Sequence, residues 1–512
     1  MYWLNENSRK FLAKGYLIGG MSAEERIRQI AETAEKHLNK PGFADKFYDY
    51  MSRGFYSLAS PIWSNYGHPR GLPISCFGSY VDDDMSRILY THAEVGMMTK
   101  NGGGTSVYLG ALRPRGAVIK DNGHSSGSVH FLELFDNLIN IVSQGSVRRG
   151  HCAPYLPIEH GDIEEYLNIG KEGHPIQEST YAVTVTDQWL KEMVDGDQDK
   201  RRIWAKVIQR RTEIGYPYIM FTDTVNNNTV DVYKDKGMKI YNSNLCSEIA
   251  LPTADDISFV CCLSSINLRH YHEWKDTDAV ETLTMFLDTV IQDFIERLES
   301  YRDSSDPHRQ SAFYFMQRAH KFAKEHRALG LGVLGWHTFL QENNISFESP
   351  EAAALNKEIF ALIHDKAYAA SAQMAADYGE PEVLKGYGRR NTTLLAIAPT
   401  TSSAFILGQV SQGIEPLMSN AFVKDVDKMK VTLKNPTLET LLEEKGYNTK
   451  EVWDSIRDND GSVQHLEFLT DHEKKVFRTF AEIDQKAIIE QAADRQAFID
   501  QAQSLNIMID PT

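Results

Sequence analysis

Residues 239–249 read Lys-Ile-Tyr-Asn-Ser-Asn-Leu-Cys-Ser-Glu-Ile, and this stretch places an amide, a thiol and a carboxylate within five positions. Side chains alternate along an extended backbone, so every second residue points the same way. An extended segment would therefore bring Asn244, Cys246 and Glu248 into one small volume, with Leu245 and Ser247 facing away. A hydrogen-bonding amide, a sulfur centre and a base side by side form a catalytic constellation. The alternative is a buried cysteine between surface polar residues, and the rest of the chain decides between the two.

Composition limits the classes of protein to consider. A chain of 512 residues exceeds one ordinary core, which predicts one large barrel or two to three domains. The chain contains no run of about 18 uncharged apolar residues that could span a bilayer, so we expect no membrane partner. The N-terminus lacks the basic and then apolar layout of a signal peptide. We therefore expect a cytoplasmic protein, bacterial or, if the gene belongs to a phage, in the host cytoplasm.

Charge argues against a nucleic-acid partner. The chain has 54 basic and 70 acidic residues, a net charge of −16, whereas a nucleic-acid scaffold would carry a basic face. A nucleotide site remains compatible with this charge, because a phosphate needs only local donors.

The five cysteines favour chemistry over a structural framework. They are odd in number and widely spread, unlike the cysteines of a secreted disulfide-rich protein. No CxxC occurs, and Cys261 and Cys262 would face opposite sides of a strand, so we expect no metal site. The five are Cys76, Cys152, Cys246, Cys261 and Cys262.

The pattern of apolar residues predicts a helical start followed by alternating strands and helices. Ser22 and Glu25 have the spacing of a capping box, and an apolar stripe at helical spacing follows them up to Pro41-Gly42. Helix-like stretches are Val129–Val142, Asp278–Leu298 and Pro350–Tyr378. Strand candidates are Ile74–Tyr80, Thr105–Leu109, Tyr181–Thr186, the Cys246 segment, Phe259–Asn267 and Leu394–Ala398. Such alternation favours an α/β fold with a largely parallel sheet or barrel.

A hydroxyl-rich turn follows the last of these strand candidates. Residues 398–403 read Ala-Pro-Thr-Thr-Ser-Ser and precede a further apolar run. Hydroxyl groups and free backbone N–H groups at the start of a helix favour an anion, although an ordinary helix cap would look the same.

Five stretches, in the same order along the chain, together resemble the large (catalytic) subunit of ribonucleotide reductase. Residues 239–249 resemble the finger loop of that family. The other four resemble its first redox-cysteine strand, the flexible loop between effector and substrate, its second redox-cysteine strand and its phosphate loop. They are Leu72–Cys76, Val142–Gly150, Val260–Leu268 and Ala398–Ser403, the last followed by Gln412-Gly413-Ile414-Glu415-Pro416.

The resemblance implies a ten-stranded α/β barrel with a central finger loop, preceded by a short helical segment. We expect the helical segment at residues 1–60 and the catalytic barrel at 61–512. Family members often carry a nucleotide-binding regulatory domain before a start like Tyr2-Trp3-Leu4, and we expect none here. They also continue to a last strand with paired tyrosines and a two-cysteine tail, so we expect a gap in the barrel and a need for a second polypeptide or a continuation.

The resemblance also assigns catalytic roles. Cys246 would carry a transient thiyl radical and take the 3′-hydrogen of the ribose, and Glu248 would act as base on the 3′-hydroxyl. Asn244 would hold a ribose hydroxyl. Cys76 and Cys261 would supply two electrons by becoming a disulfide. Cys262 and Cys152 are expected to be structural.

Substrate and effector residues follow from the same resemblance. Substrate contacts would come from Ser60, Ser75, Asn101, Gly102, Pro399, Thr400, Thr401, Ser402 and Ser403. Asp83 and Arg113 would bind a dNTP or ATP effector at a homodimer interface, and Arg148 and Arg149 would relay its identity to the substrate base.

The predicted activity is reduction of ribonucleoside diphosphates, with no cofactor bound directly. The radical would come from a separate metal-containing beta subunit, and the electrons from a thioredoxin- or glutaredoxin-like reductant. One alternative is an adenosylcobalamin-dependent reductase of the same superfamily. Another is a non-catalytic nucleotide-binding fragment that needs a second chain.

Overall fold

The computed structural model describes residues 1–145, 147–177, 179–426 and 429–509, with backbone alone over 424–426 and 429–432. Ser146, inside the predicted flexible loop, lies outside the described residues. Within them the chain forms β1 Tyr56–Leu58, β2 Cys76–Tyr80, β3 Gly104–Tyr108, β4 Val118–Ile119, β5 Gly123–His124, β6 Cys152–Pro157, β7 Ala182–Val185, β8 Tyr218–Phe221, β9 Phe259–Asn267, β10 Leu329–Leu334, β11 Ala421–Val426 and β12 Met429–Lys434.

The described residues also form 21 α-helices. They are α1 Glu6–Ala13, α2 Ala23–Leu38, α3 Phe43–Ser52, α4 Ser60–Asn65, α5 Met85–Lys100, α6 Ser128–Ile141, α7 Ile163–Tyr166, α8 Asp187–Asp195, α9 Gln198–Ile214, α10 Thr222–Asn228, α11 Asp231–Asp235, α12 Tyr271–Trp274, α13 Ala279–Arg302, α14 Pro307–His326, α15 Trp336–Glu342, α16 Pro350–Tyr378, α17 Thr401–Ile406, α18 Pro436–Glu444, α19 Lys450–Asp458, α20 Asp471–Val476 and α21 Gln485–Gln496. None of them is long and apolar enough to cross a membrane.

The main sheet consists of two halves. Strands are parallel within each half, and the two halves run antiparallel to each other. Strands β2, β3, β6, β7 and β8 are parallel neighbours in the first half. Strand β9 pairs antiparallel with β2, and β10 then pairs parallel with β9. Parallel bridges from Leu331 to Leu395 and from Ile397 to Gln503 extend this second half by two short segments. The α/β barrel-type fold is thus confirmed, and the described residues supply nine barrel positions.

The N-terminal helices pack directly on the barrel. Helix α2 begins with the predicted capping box, in which Ser22 Oγ accepts from Glu25 N and Ser22 N donates to the Glu25 carboxylate. Its apolar stripe is buried in the same hydrophobic core as strands β9 and β10. Strand β1 lies between α3 and α4 and pairs antiparallel with β9, which ties this helical region to the sheet.

Strand β9 shows why the sheet lies at the centre of the molecule. All nine of its residues are buried, as expected for a strand covered on both faces. The long helices α13 and α14 pack against it from outside. Strand β9 therefore lies in the interior of the molecule, between the long helices and the inside of the sheet.

Candidate active site

The segment around Cys246 is a turn, so the expectation of an extended strand was wrong. Leu245 and Cys246 occupy the turn, and Ser247 N donates to Asn244 O at 3.4 Å. Ser247 has a φ of +65°, which an extended strand does not allow. The segment has no strand partner among the described residues, and Asn244 Oδ1 instead accepts from Ile249 N at 3.2 Å. The turn is held inside the barrel because the Tyr155 hydroxyl donates to Asn244 O at 2.7 Å.

This turn faces a cavity of about 230 Å³. The cavity brings together many of the predicted site residues, which come from distant parts of the sequence. Its lining includes Ser60, Ser75, Cys76, Arg148, Cys246, Glu248, Pro399, Thr400, Thr401, Ser402 and Ser403. One small volume therefore contains a thiol at the turn, a carboxylate, a second thiol and the hydroxyl-rich loop.

Glu248 is a carboxylate prepared to act as a base near neutral pH. Its side chain is buried, and Oε2 has no hydrogen-bond partner among the described residues. Burial raises its pKa to about 7, and hydrogen bonds, including one with Asn244, act in the opposite direction. A group with such a pKa can take up and release a proton during turnover.

Cys246 is half-buried and protonated. Burial and the nearby Glu248 carboxylate raise the pKa of its thiol to about 12, while the charge of Arg148 acts in the opposite direction. A thiolate nucleophile needs a lowered pKa, so this environment does not suit ionic attack. It preserves an intact S–H bond, which hydrogen-atom transfer requires.

Cys76 and Cys261 lie directly opposite each other where the two halves of the sheet meet. They are Cα partners in the antiparallel pairing of β2 and β9, a relation in which Cα atoms are about 4.5–5.5 Å apart. Both are buried free thiols, and burial raises the pKa of Cys261 to about 12. Asn244 Nδ2 donates to Cys76 Sγ at 3.2 Å, so this amide contacts the dithiol. Asn244 is not among the residues that line the cavity.

The other two cysteines have different partners in the sheet. Cys262 is buried and is paired with Leu329 of β10. Cys152 is buried in β6, where its partner in the sheet is Thr105 of β3.

The hydroxyl-rich loop forms one wall of the cavity. Thr400 is in the left-handed conformation with φ +55° and precedes α17. Thr400 Oγ1 accepts from Gly413 N at 2.8 Å, and Thr401 Oγ1 donates to Gln412 Oε1 at 3.1 Å. The second stretch of this motif, which begins at Gln412, therefore supports the loop from behind.

Asn101 and Gly102 lie elsewhere than predicted. Asn101 Nδ2 donates to Met97 O at the end of α5, and the residue lines a different cavity of about 570 Å³. Gly102 has φ +95° and packs against Gln144, whose Oε1 would lie 2.3 Å from an added Cβ. Gly104 lines the thiol cavity instead.

The predicted effector residues divide into two groups. Arg113 Nε donates to Asp83 Oδ2 at 2.7 Å, so these two residues form an ion pair. Arg148 lines the thiol cavity, and Arg149 is exposed.

Gln501 is a polar residue that the sequence reading missed. Its buried amide donates to Leu329 O at 2.9 Å and lies 3.6 Å from Cys261 Sγ, while its Oε1 accepts from Ala250 N at 3.0 Å. It therefore connects the segment after Glu248 to the dithiol strand. A single glutamine without a motif gave no sequence signal for this role.

Comparisons with known proteins show the family to which this chain is similar. The family described as "Ribonucleotide reductase, all-alpha domain" matches residues 2–71, and "Ribonucleotide reductase, barrel domain" matches 74–200, 193–383 and 381–512. A relative from Frog virus 3 (isolate Goorha) is 37% identical over 494 residues, which cover 93% of this chain and 84% of the relative. The ribonucleoside-diphosphate reductase large subunit of Invertebrate iridescent virus 3 is 31% identical, covering 96% of this chain and 86% of its own.

A solved structure is similar over nearly the whole chain. The Actinobacillus ureae class Id ribonucleotide reductase alpha subunit is 56% identical, with a TM-score of 0.91 over 99% of this chain and 92% of that one. With two family matches spanning almost all residues, this chain belongs to the ribonucleotide reductase family as a large, catalytic subunit of the class I type.

Proposed function

We propose that this subunit reduces ribonucleoside diphosphates to 2′-deoxyribonucleotides through a transient thiyl radical on Cys246. One observation supports this most strongly: the Cys246 thiol and the Glu248 carboxylate line the same cavity as Cys76. The partner of Cys76 in the sheet is a second buried thiol, Cys261. The groups needed for hydrogen abstraction, proton transfer and two-electron reduction thus all lie in or beside one cavity.

The steps use these side chains in turn. The Cys246 thiyl takes the 3′-hydrogen of the ribose, and Glu248 accepts the proton of the 3′-hydroxyl. The 2′-hydroxyl leaves as water, and Cys76 and Cys261 supply two electrons and two protons as they form a disulfide. Glu248 finally returns its proton to the 3′-oxygen, and Cys246 returns the hydrogen atom to C3′. The balance is ribonucleotide plus dithiol giving deoxyribonucleotide, disulfide and water.

The hydroxyl-rich loop is the proposed site of the substrate diphosphate. Thr401, Ser402 and Ser403 provide hydroxyls on the cavity wall, and their backbone N–H groups start a helix, where such groups lack partners within the helix. Ser60 and Ser75 line the same cavity and would add hydrogen bonds. Arg148 would meet the substrate from the side of the flexible loop.

The partners belong to the same proposal. A separate metal-containing beta subunit would supply the radical, and a thioredoxin- or glutaredoxin-like protein would reduce the disulfide after each turnover. Asp83 and Arg113 would bind a dNTP or ATP effector at the interface of a homodimer, with Arg149 on the exposed side of the loop that reports it.

The test is Cys246→Ser in the full-length protein, compared with Cys152→Ser. A hydroxyl is close in shape to a thiol, but its O–H bond is too strong to form the radical. We expect loss of deoxynucleotide formation with substrate binding, measured by calorimetry, within a few-fold of the parent. The Cys152→Ser control should retain turnover with the radical-supplying subunit and a dithiol. A Cys246→Ser enzyme that still turns over would remove the radical from this residue.

A further inference from the structure

A buried ion pair joins helix α5 to helix α14 beside the barrel. Arg318 Nε donates to Glu94 Oε2 at 2.7 Å, and the two side chains are only 5% and 0% exposed. Arg318 Nη2 also donates to Thr91 Oγ1 at 2.9 Å. A buried charge of this kind is stable only when its partners are held in place, so its geometry is fixed.

The second carboxylate oxygen of Glu94 reaches the two strands that carry the dithiol. Ser79 of β2 and Ser258, which precedes β9, each donate a hydroxyl to Glu94 Oε1 at 2.6 Å. One acceptor atom therefore holds both strands. The two serines lie one position beyond Gly78 and Phe259, which are partners in the β2–β9 pairing.

The same pairing contains the dithiol at its other end. Cys76 and Cys261 are three positions from Ser79 and Ser258 along their strands, a distance of about 10 Å. The pairing between them is tight, because a Cβ at Gly78 would lie 1.8 Å from the Phe259 ring. A change of register at the serines would therefore be transmitted to the sulfurs.

Helix α5 begins beside Asp83, one of the predicted effector residues. Its N-cap is Asp84, next to Asp83, and its last residue is Lys100, next to Asn101. Glu94 lies in the second half of this helix. The Glu94 carboxylate thus links the helix that begins beside Asp83 to both dithiol strands.

We propose that Glu94 is a positioning residue for the dithiol, which aligns Cys76 with Cys261 by holding Ser79 and Ser258 on one carboxylate oxygen. This inference rests on the proposed dithiol role of the two cysteines. Glu94 touches neither sulfur and acts through the register of β2 and β9.

The experiment measures the equilibrium of the dithiol directly. The reduced full-length protein is equilibrated with glutathione buffers, in which the dithiol and oxidised glutathione give the disulfide and two reduced glutathiones. Alkylation and mass spectrometry then give the fraction of bridged Cys76–Cys261. The variant is Ser79→Ala/Ser258→Ala, which removes both hydroxyl links and leaves the Glu94–Arg318 pair intact.

Ser128→Ala is the matched control. Ser128 is a buried serine whose hydroxyl donates to the buried carboxylate of Asp162 at 2.8 Å. Ser128→Ala therefore removes the same kind of hydrogen bond, but at a place outside β2 and β9. Ser79→Ala and Ser258→Ala are also made singly. Each single variant keeps one of the two hydroxyl links to Glu94. The single variants are therefore measured instead if the double variant does not fold.

We expect the double variant to disfavour the disulfide roughly tenfold, a shift of about 30 mV, because poorer alignment lowers the effective concentration of one thiol at the other. Each single variant should shift it in the same direction by a smaller factor. Folded variants that stay within twofold of the parent, a shift of opposite sign, or an equal shift in Ser128→Ala would overturn the inference. A parent protein that forms no Cys76–Cys261 bridge would instead refute the proposed function.

Discussion

Glu248 owes its basicity to burial. Its carboxylate lies in the protein interior, and Oε2 has no hydrogen-bond partner among the described residues. The resulting pKa of about 7 places its titration within the pH range at which the enzyme would work. The same burial keeps the neighbouring Cys246 thiol protonated, so one environment serves both residues.

Turnover should therefore rise with pH through about 7. The base acts in its ionised form, and below this pKa the ionised fraction falls about tenfold per pH unit. The measurement is kcat between pH 5.5 and 8.5 under conditions where chemistry limits the rate. Glu248→Gln should lose turnover throughout, and a parent profile that is flat across this range would contradict the assignment.

The raised pKa of Glu248 should also make the stability of the fold depend on pH. The pKa of Glu248 is raised from 4.5 to about 7 on folding, so the folded state binds more protons between these values. The stabilisation is present below pH 4.5 and is lost as the pH rises through 7, by about 3 kcal/mol in total. The free energy of unfolding of Glu248→Gln, measured with denaturant, should therefore rise relative to that of the parent from pH 4 to pH 8. A difference in free energy that stays constant over this range would be inconsistent with a raised pKa.

At this scale the sequence predicts residue identity better than orientation. Cys246, Glu248 and Cys76 were expected near one another, and they line one cavity. The convergence of Cys246 with Glu248 was attributed to strand alternation, whereas a turn produces it. The family resemblance placed Asn101 at the substrate, but its amide bonds to the end of α5. Side-chain direction depends on backbone torsions that a motif does not specify.

The finger loop is the element on which the site depends. Ser247 holds φ +65°, a conformation that costs little for glycine and about 1–2 kcal/mol for most other residues. Valine is branched at Cβ and serine is not, so serine tolerates a positive φ better than valine would.

Substitutions at Ser247 should separate loop shape from side-chain chemistry. Ser247→Gly should keep turnover within a few-fold, because glycine adopts the required conformation freely. Ser247→Val should lose most activity while circular dichroism and thermal midpoint stay near those of the parent, since only the loop moves. Equal activity of the two variants would show that the turn does not position Cys246.

Elements with simple patterns were predicted well. Strand β9 and helix α16 have the predicted bounds, and α2 starts at the predicted capping box. Strands β6 and β10 were missed, since β6 contains two prolines and β10 two glycines. Gly330 is required by packing, because an added Cβ would lie 2.4 Å from Leu263 and 3.1 Å from Cys261 Sγ. Such close approach between strands leaves no periodic signal.

On the scale of the whole molecule, the proposed regulation depends on the Asp83–Arg113 pair. This pair is partly exposed and lies at the start of α5. Arg113→Ala should weaken the response to a dNTP effector at least tenfold while unstimulated substrate binding stays near that of the parent. Arg115→Ala is the control, because Arg115 pairs with Glu165 at 2.7 Å. Effector titrations that coincide for both variants would place the effector elsewhere.

The dithiol can be followed in a single turnover. Substrate added to the pre-reduced protein with its radical-supplying subunit should form one bridge between Cys76 and Cys261, because they are partners across β2 and β9. Peptide mapping under non-reducing conditions identifies the bridge. A bridge that contains Cys262 or Cys152 would show that the register of this pairing has been assigned to the wrong sulfurs.

The reversal of strand direction at β2 and β9 could not be predicted from strand alternation, and it gives the dithiol a mechanical meaning. Each sulfur belongs to a different half of the sheet, so a bond between them cross-links the halves. Such a bond encloses the chain between positions 76 and 261 and would restrict the unfolded state by about 5 kcal/mol. The molecule would then be more rigid and harder to unfold after each reduction of substrate, and more compliant once its reductant has acted.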